Sequence, residues 1–354
     1  MNLQLLLGAA FALVPLAAPR GQATPASTPL LAVERIWDRA EHCAFTDLVV
    51  AGERRYVSFR EGTRHVFGSP GLIRVLGNAD DGEWRSVARI TEDDIDLRDP
   101  KLELLPDGRL MLNVGASRYV GNELRGHSPR VAFGDAGTGR FGALVPVTLP
   151  ASIVTGADWL WRVTWHGGMG YGVVYHPRSE GGVLHLVRSA DGLVYELHAT
   201  LELPRGKDLP TSPNEASLAF LSDGTMIAVV RCDGAMPGGF VGYAKPPYEQ
   251  FEWRVIGMQL GGPDLIVLEG DRVIVGSRGV LTAPVNGPGR VEPTRSTVLF
   301  RLARDGAVSD LITLPSGGDT GYPGLALDGD ELLVTYYSSH RGTAAIHLAR
   351  VRAR

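Results

Sequence analysis

Residues 213–234, PNEASLAFLSDGTMIAVVRCDG, read as a strand, a tight turn and a second strand. Ala216 to Leu221 is a short apolar run, and Met226 to Val230 is a second one rich in β-branched residues. Between them Ser222-Asp223-Gly224-Thr225 is a hairpin turn, because glycine accepts the positive φ that such turns need. Glu215 precedes the first strand and Arg231 follows the second. A hairpin brings its two open ends together, so a carboxylate and a guanidinium are expected side by side on one rim of a β-sheet.

The unit recurs. Asp99-Pro100 leads into KLELL, the turn Pro106-Asp107-Gly108-Arg109 and LMLNVG. Asp264 leads into LIVL, Glu269-Gly270-Asp271, and RVIVGS with Arg278. Tyr322-Pro323 leads into GLAL, Asp328-Gly329-Asp330 and ELLVTYYSS. Looser copies open at Asp47 and at Trp161-Arg162. Successive copies start about 50–60 residues apart, a period that in β-rich sequence means repeated four-stranded units. Six copies predict an all-β fold: a six-bladed β-propeller of four-stranded antiparallel blades. With 45 glycines in 354 residues, the chain carries well above the usual ~7%, as expected when every hairpin needs one.

Leu3 to Ala18 is apolar and is followed by small residues. Residues 1–23 therefore read as a signal peptide, 24–29 as a Pro/Thr/Ser linker, and 30–354 as one propeller domain. The expected location is secreted or periplasmic, with no membrane association once the signal is removed. A net charge of −4 offers no basic field for nucleic acid, and the expected state is a monomer. Cys43 and Cys232 could pair in an oxidising compartment, but two buried free thiols are the commoner outcome for such residues. No cofactor is implied, and no ligand spacing is specific enough to mark a metal site.

In a propeller the inner-strand starts and second-strand ends converge on one face. The six copies place Asp47, Asp99, Arg162, Glu215, Asp264 and Tyr322 at inner-strand starts. Arg60, Glu61, Arg231, Arg278 and the run ending in His340 stand at second-strand ends. His65 follows in the first-blade loop, and Trp161 belongs to a cluster in which Trp159, Trp161, Val163 and Trp165 share one face at period two. Each has a plainer reading. Asp99 and Asp264 can cap turns, Arg162 can stack on tryptophan, Trp161 can be core, and His65 and His340 can be surface histidines. Glu215, Arg231, Arg278 and Tyr322 stand out as a set, because polar groups aimed at an axis must pair or bind something.

These residues resemble the sialidases, six-bladed propeller glycoside hydrolases. Asn214-Glu215, the Asp-Gly hairpin and Arg231 look like the strand pair carrying that family's assisting Glu and one carboxylate-binding Arg. GGPDLIVLEGDRVIVGSR, ending at Arg278, looks like the pair carrying another Arg, and Gly321-Tyr322-Pro323-Gly324-Leu325 like the segment with the catalytic Tyr. SADGLVY and NADDGEW look like shortened Asp-boxes. In its Phe-Thr-Asp, Phe-Arg-Glu-Gly and Trp-Arg-Val-Thr-Trp segments the chain also resembles secreted bacterial sialidase-like proteins. Two family features have no counterpart: Phe45-Thr46-Asp47-Leu48 stands where the first Arg belongs, and the first-blade loop has Glu61 and His65 but no Asp. On this resemblance Arg60 or Arg162 would substitute for that arginine.

The resemblance implies a secreted hydrolase of an acidic or substituted glycan. Tyr322 and Glu215 would form the nucleophile, and Arg231 and Arg278 would grip a substrate carboxylate. Asp47, Glu61 or His65 would be the acid. The alternatives are a non-catalytic glycan-binding propeller and a lyase acting on a uronate-containing polysaccharide.

Overall fold

In a computed structural model of the chain, residues 30–78, 82–177, 182–234, 237–281 and 294–353 are described; the signal and linker segments read at 1–23 and 24–29 lie outside them, as does part of NADDGEW. The first strand is β1 (Leu30–Trp37). Blade one is β2 (His42–Ala51), β3 (Arg54–Gly62), β4 (Leu72–Asn78) and β5 (Trp84–Ile90). Blade two is β6 (Asp96–Leu104), β7 (Arg109–Val120), β8 (Glu123–Asp135) and β9 (Val145–Pro146). Blade three is β10 (Trp159–His166), β11 (Met169–Tyr175), β12 (Leu184–Ser189) and β13 (Glu196–Leu201). Blade four is β14 (Pro213–Phe220), β15 (Met226–Cys232), β16 (Gly238–Ala244) and β17 (Glu252–Ile256). Blade five is β18 (Asp264–Leu268), β19 (Arg272–Leu281), β20 (Thr294–Leu302) and β21 (Val308–Thr313). Blade six is β22 (Thr320–Asp328), β23 (Glu331–Ser338) and β24 (Ala345–Arg352), completed by β1.

The fold is the expected six-bladed propeller of antiparallel four-stranded sheets. Among the described residues the single helical element is a 3-10 turn, Glu269–Asp271, and no helix is long and apolar enough to cross a membrane. Closure of the ring comes from β1, which pairs antiparallel with β24 at the outside of the last blade. The repeat pattern alone does not show this, because β1 precedes the first hairpin copy. The β14–β15 hairpin closes with a Gly224 N–H donated to the Leu221 carbonyl at 2.9 Å. Gly224 sits at φ 78°, so the loop is a β-turn plus one left-handed glycine, longer than a two-residue turn.

Five of the six inner strands share a bulge, β18 alone pairing with its neighbour in unbroken register. Against their neighbours, β2 advances from Ala44 to Asp47 while β3 retreats from Arg60 to Ser58. The same three-against-two step occurs at Arg98–Lys101, Leu160–Val163, Pro213–Ala216 and Gly321–Gly324. One extra residue on the inner strand re-aims its side chain and bends the strand. Phe45 (φ 61°), Asp99 (φ 48°) and Tyr322 (φ 50°) occupy this bulge in left-handed conformation, which is rare for bulky side chains. The bulge also corrects the tryptophan reading. It interrupts the period-two alternation between Leu160 and Val163, so Trp159 and Trp161 pack in one core cluster and Val163 and Trp165 in another.

Inner strands are not paired to one another, so their axial backbone groups need other partners. A polar side chain bridges every blade junction. Asp47 accepts from the Leu102 N–H at 2.7 Å, and Asn113 donates to the Leu160 carbonyl at 2.7 Å. Thr164 donates to the Leu218 carbonyl at 3.0 Å, and Ser217 to the Pro263 carbonyl at 2.7 Å. Asp264 accepts from the Leu325 N–H at 2.8 Å, and Thr46 donates to the Tyr322 carbonyl at 2.7 Å. Asp47 and Asp264 thus fasten neighbouring blades, Asp264 while also accepting from its own Leu265 N–H at 2.9 Å. Cys43 and Cys232 are buried free thiols, each pushed up to about 12 by burial.

Candidate functional site

The site grows from the β14–β15 hairpin. Arg231 Nη1 donates to Glu215 Oε2 at 2.6 Å, so the two open ends do meet as carboxylate and guanidinium. The bulge of blade six delivers Tyr322 from across the ring. Its hydroxyl donates to Glu215 Oε1 at 2.8 Å and accepts from Arg231 Nη1 at 3.0 Å. The Gly262 backbone N–H donates to Glu215 Oε2 at 2.8 Å. Glu215 and Tyr322 are buried. Burial works to raise the Glu215 carboxyl, but Arg231, the Tyr322 hydrogen bond and Arg278 outweigh it and hold it below its ordinary value. Burial, then the Glu215 charge, pushes the Tyr322 phenol well above its ordinary value. The proton therefore rests on the phenol and the charge on the carboxylate.

The two arginines are not equivalent. Arg231 is already occupied, since besides Glu215 its Nη2 pairs with Asp233 at 2.7 Å. The Arg278 guanidinium lies 5.5 Å from the Tyr322 ring centre and, among the described residues, has no carboxylate partner. It is the cation left to meet an anion. Tyr322 is fixed from the sides by Phe45 at 5.1 Å and Trp161 at 5.7 Å between ring centres. Trp161 is fully buried, with Lys101 Nζ 4.7 Å above its ring, which makes it a wall of the site and leaves no face for a sugar to stack on.

Asp99 occupies the blade-two bulge, the position that Tyr322 holds in blade six. It is buried, and its Oδ1 has no hydrogen-bond partner. Burial raises its carboxyl, with Arg98 and Lys101 opposing and Glu215 adding to the rise. Arg98, which the hairpin pattern did not single out, runs over the Phe45 ring at 4.9 Å and donates to Asp96 at 3.1 Å.

The remaining sequence candidates go elsewhere. Arg162, Asp47 and Asp264 form a deeper ion cluster on the axis: Arg162 Nη1 lies 3.0 Å from Asp47 and its Nε 3.3 Å from Asp264. Arg60 is fully buried against Asp96 at 2.7 Å. Glu61 accepts from Trp37 Nε1 at 2.6 Å and from Arg74 at 2.7 Å. His65 bonds Asp319 at 2.8 Å. His340 bonds Ser338 at 2.8 Å and packs on His347 at 5.2 Å, in the loop after β23. Arg60 and Arg162 each spend their charge on buried carboxylates, so neither is open to a ligand as they stand. Sequence reasoning missed Asp233, Phe45, Arg98 and the Gly262 N–H. Phe45 had a signal, because it aligns with Asp99 and Tyr322 once the bulges are superposed; a backbone N–H has none.

The axis opens at its other end into a cavity of about 450 Å³ lined in part by Glu103, Arg162, Trp165 and Asp264. Burial, opposed by Arg162 and reinforced by Asp47 and Asp264, pushes the Glu103 carboxyl up to about 8. Its folded value lies above its unfolded one, so the stability it contributes is complete at acid pH and is lost as pH rises toward 8. Glu103→Gln is expected to stabilise the protein at pH 9 by on the order of 2 kcal/mol, with little effect at pH 5. Urea unfolding at the two pH values checks this; equal effects at both would remove Glu103 as the source.

No family model and no curated protein matches the sequence. Solved structures match the fold. A protein of unknown function from Dyadobacter fermentans superposes with a TM-score of 0.76 at 18% identity, covering 93% of this chain and 100% of that one. A Trypanosoma rangeli sialidase in complex with the inhibitor DANA gives 0.62 at 13% identity, covering 88% of this chain and 55% of its own. The endosialidase of phage phi92 gives 0.66 at 10% identity, covering 91% and 69%. The chain thus spans about half the length of the Trypanosoma enzyme, and what the three share with it is a sialidase-like six-bladed propeller.

Proposed function

We propose that this chain is a secreted glycoside hydrolase acting on an acidic or substituted glycan, with Tyr322 as nucleophile. One observation carries the reading: a buried phenol donating to a buried, ionised Glu215 at 2.8 Å, beside the unpaired Arg278. As positive charge develops at the anomeric carbon, the Tyr322 oxygen attacks it and the phenol proton passes to Glu215. The leaving oxygen takes its proton from Asp99, whose raised pKa and unpartnered oxygen suit an acid better than the committed Asp47 and Glu61. Water then releases the sugar from Tyr322 by the reverse proton movement. Arg278 binds the substrate's carboxylate, and Arg231 holds Glu215 charged.

A binding propeller is the second reading, favoured by Arg231 being already paired with Glu215 and Asp233. A panel of acidic glycans incubated with the purified protein and read by mass spectrometry separates them. A hydrolase releases a saturated sugar, a lyase an unsaturated one absorbing in the ultraviolet, and a binder nothing. Absence of product across the panel, with retention of a glycan on the protein, would overturn the enzymatic reading.

A further inference from the structure

A second group of side chains gathers on the same face. His42 starts β2, His65 lies in the loop after β3, and Asp319 immediately precedes β22. His42 Nε2 and His65 Nδ1 each lie 2.8 Å from the same oxygen, Asp319 Oδ2, and the three ligand atoms fall within 4.8 Å of one another. The other carboxylate oxygen is held by the Tyr337 hydroxyl at 2.9 Å, and the Asp319 N–H donates to Ser339 at 2.9 Å. Arg98 donates to the His65 carbonyl at 3.0 Å, which anchors that loop. Burial works to raise the Asp319 carboxyl, but its hydrogen bonds from the two histidines and the His65 charge hold it well below the carboxylate range. His42 Nδ1 is buried and has no hydrogen-bond partner, so it can carry the ring proton when Nε2 serves as a ligand instead of donating to Asp319.

We propose that His42, His65 and Asp319 form a binding site for a divalent transition-metal ion, with zinc the first choice. Two imidazoles on one carboxylate oxygen exceed what orienting a single histidine requires. Ligands bound tetrahedrally to one ion at about 2.0–2.2 Å sit roughly 3.4 Å apart, so the 2.8 Å N···O separations here need to open by only about half an ångström to admit an ion. Two nitrogens and one oxygen select zinc, cobalt or nickel over calcium or magnesium. The phenol on the second oxygen is the kind of outer support that orients a ligating carboxylate. Three protein ligands leave coordination positions for water or a ligand, and the partly exposed His65, the most accessible of the three, is where an ion can enter. Phe45 separates the site from the phenol, with its ring 4.9 Å from His65 and 5.1 Å from Tyr322. A bound ion therefore adds positive charge one aromatic ring from the nucleophile. Asp319 lies 277 positions after His42 and 254 after His65, which is why no sequence spacing announced the set.

The test uses the protein freed of metal by EDTA and gel filtration, titrated with zinc chloride by calorimetry and with cobalt chloride by visible absorption. One ion per chain, bound with micromolar or tighter affinity, is expected, with a cobalt band diagnostic of nitrogen and oxygen ligands. His65→Ala, which keeps the backbone carbonyl that Arg98 holds, should weaken binding at least about 100-fold. Asp319→Asn should do the same, and His198→Ala should not. Zinc should raise the melting temperature of the wild type but not of His65→Ala. No saturable binding, or wild-type affinity in folded His65→Ala and Asp319→Asn, overturns the site. Neither readout needs a substrate, so this result and that of the glycan panel stand or fall separately.

Discussion

Tyr322→Phe and Glu215→Gln are each expected to lower turnover by about three orders of magnitude, and the double variant by no more than either alone. The hydroxyl and the carboxylate are joined by one 2.8 Å hydrogen bond and act in one proton transfer, so removing either disables the other. Phenylalanine keeps the ring against Phe45 and Trp161. Glu215 keeps Arg231 and the Gly262 N–H in that variant, so no buried charge is orphaned and the stability loss should stay near ~1 kcal/mol. Substrate binding should persist, because Arg278 is untouched. The measurement is turnover on whichever glycan the panel identifies, with calorimetric melting alongside. Full activity in Tyr322→Phe would sink the proposed nucleophile; additive losses would mean that the two residues act in separate steps.

The largest stability effect is expected at Arg162. It is the cation between Asp47 at 3.0 Å and Asp264 at 3.3 Å, all three buried on the axis. Arg162→Met keeps much of the volume and deletes the charge. Asp47 and Asp264 then lose their direct ion-pair partner and keep only the buried Lys101 acting on them, a change that typically costs about 3–5 kcal/mol. The sign of the pH dependence is diagnostic. In the wild type, burial already pushes Asp264 up to about 6, with Arg162 opposing and Asp47 reinforcing. Without Arg162 the folded Asp264 value rises further above its unfolded one, so the folded state holds a proton that the unfolded state releases. The variant should therefore be least stable above neutral pH and regain stability on acidification toward pH 5, as the buried Asp264 carboxyl becomes neutral. Denaturant midpoints at pH 5 and pH 8 test this. A loss independent of pH would point to packing alone.

The hairpin repeat determined the architecture, because each blade writes the same local pattern: apolar run, glycine turn, apolar run. Local turn chemistry and period-two burial act over a few residues and are visible without a third dimension. The same pattern put Glu215 and Arg231 at adjacent hairpin ends, and their ion pair follows from hairpin geometry alone. It also placed Tyr322 and Arg278 on the correct face, since equivalent strand ends of a propeller share one.

The partner of each charge was decided only by the tertiary structure. Asp47, Asp99, Asp264 and Tyr322 start equivalent strands in sequence, yet Asp47 and Asp264 fasten neighbouring blades and hold Arg162, while Asp99 and Tyr322 face the site. The inner-strand bulge makes the difference. It adds one residue, puts Asp99 and Tyr322 in left-handed conformation and turns their side chains to the top of the axis, leaving residues one pleat further on to the deeper layer. The bulge also broke the alternation that would have set four residues of the tryptophan segment on one face. No propensity marks it, because its stability comes from the neighbouring blade's backbone partners and not from the strand itself. Ring closure by β1, the burial of Arg60 against Asp96, and the meeting of His42 and His65 with Asp319 depend likewise on chain segments that only the closed ring brings together.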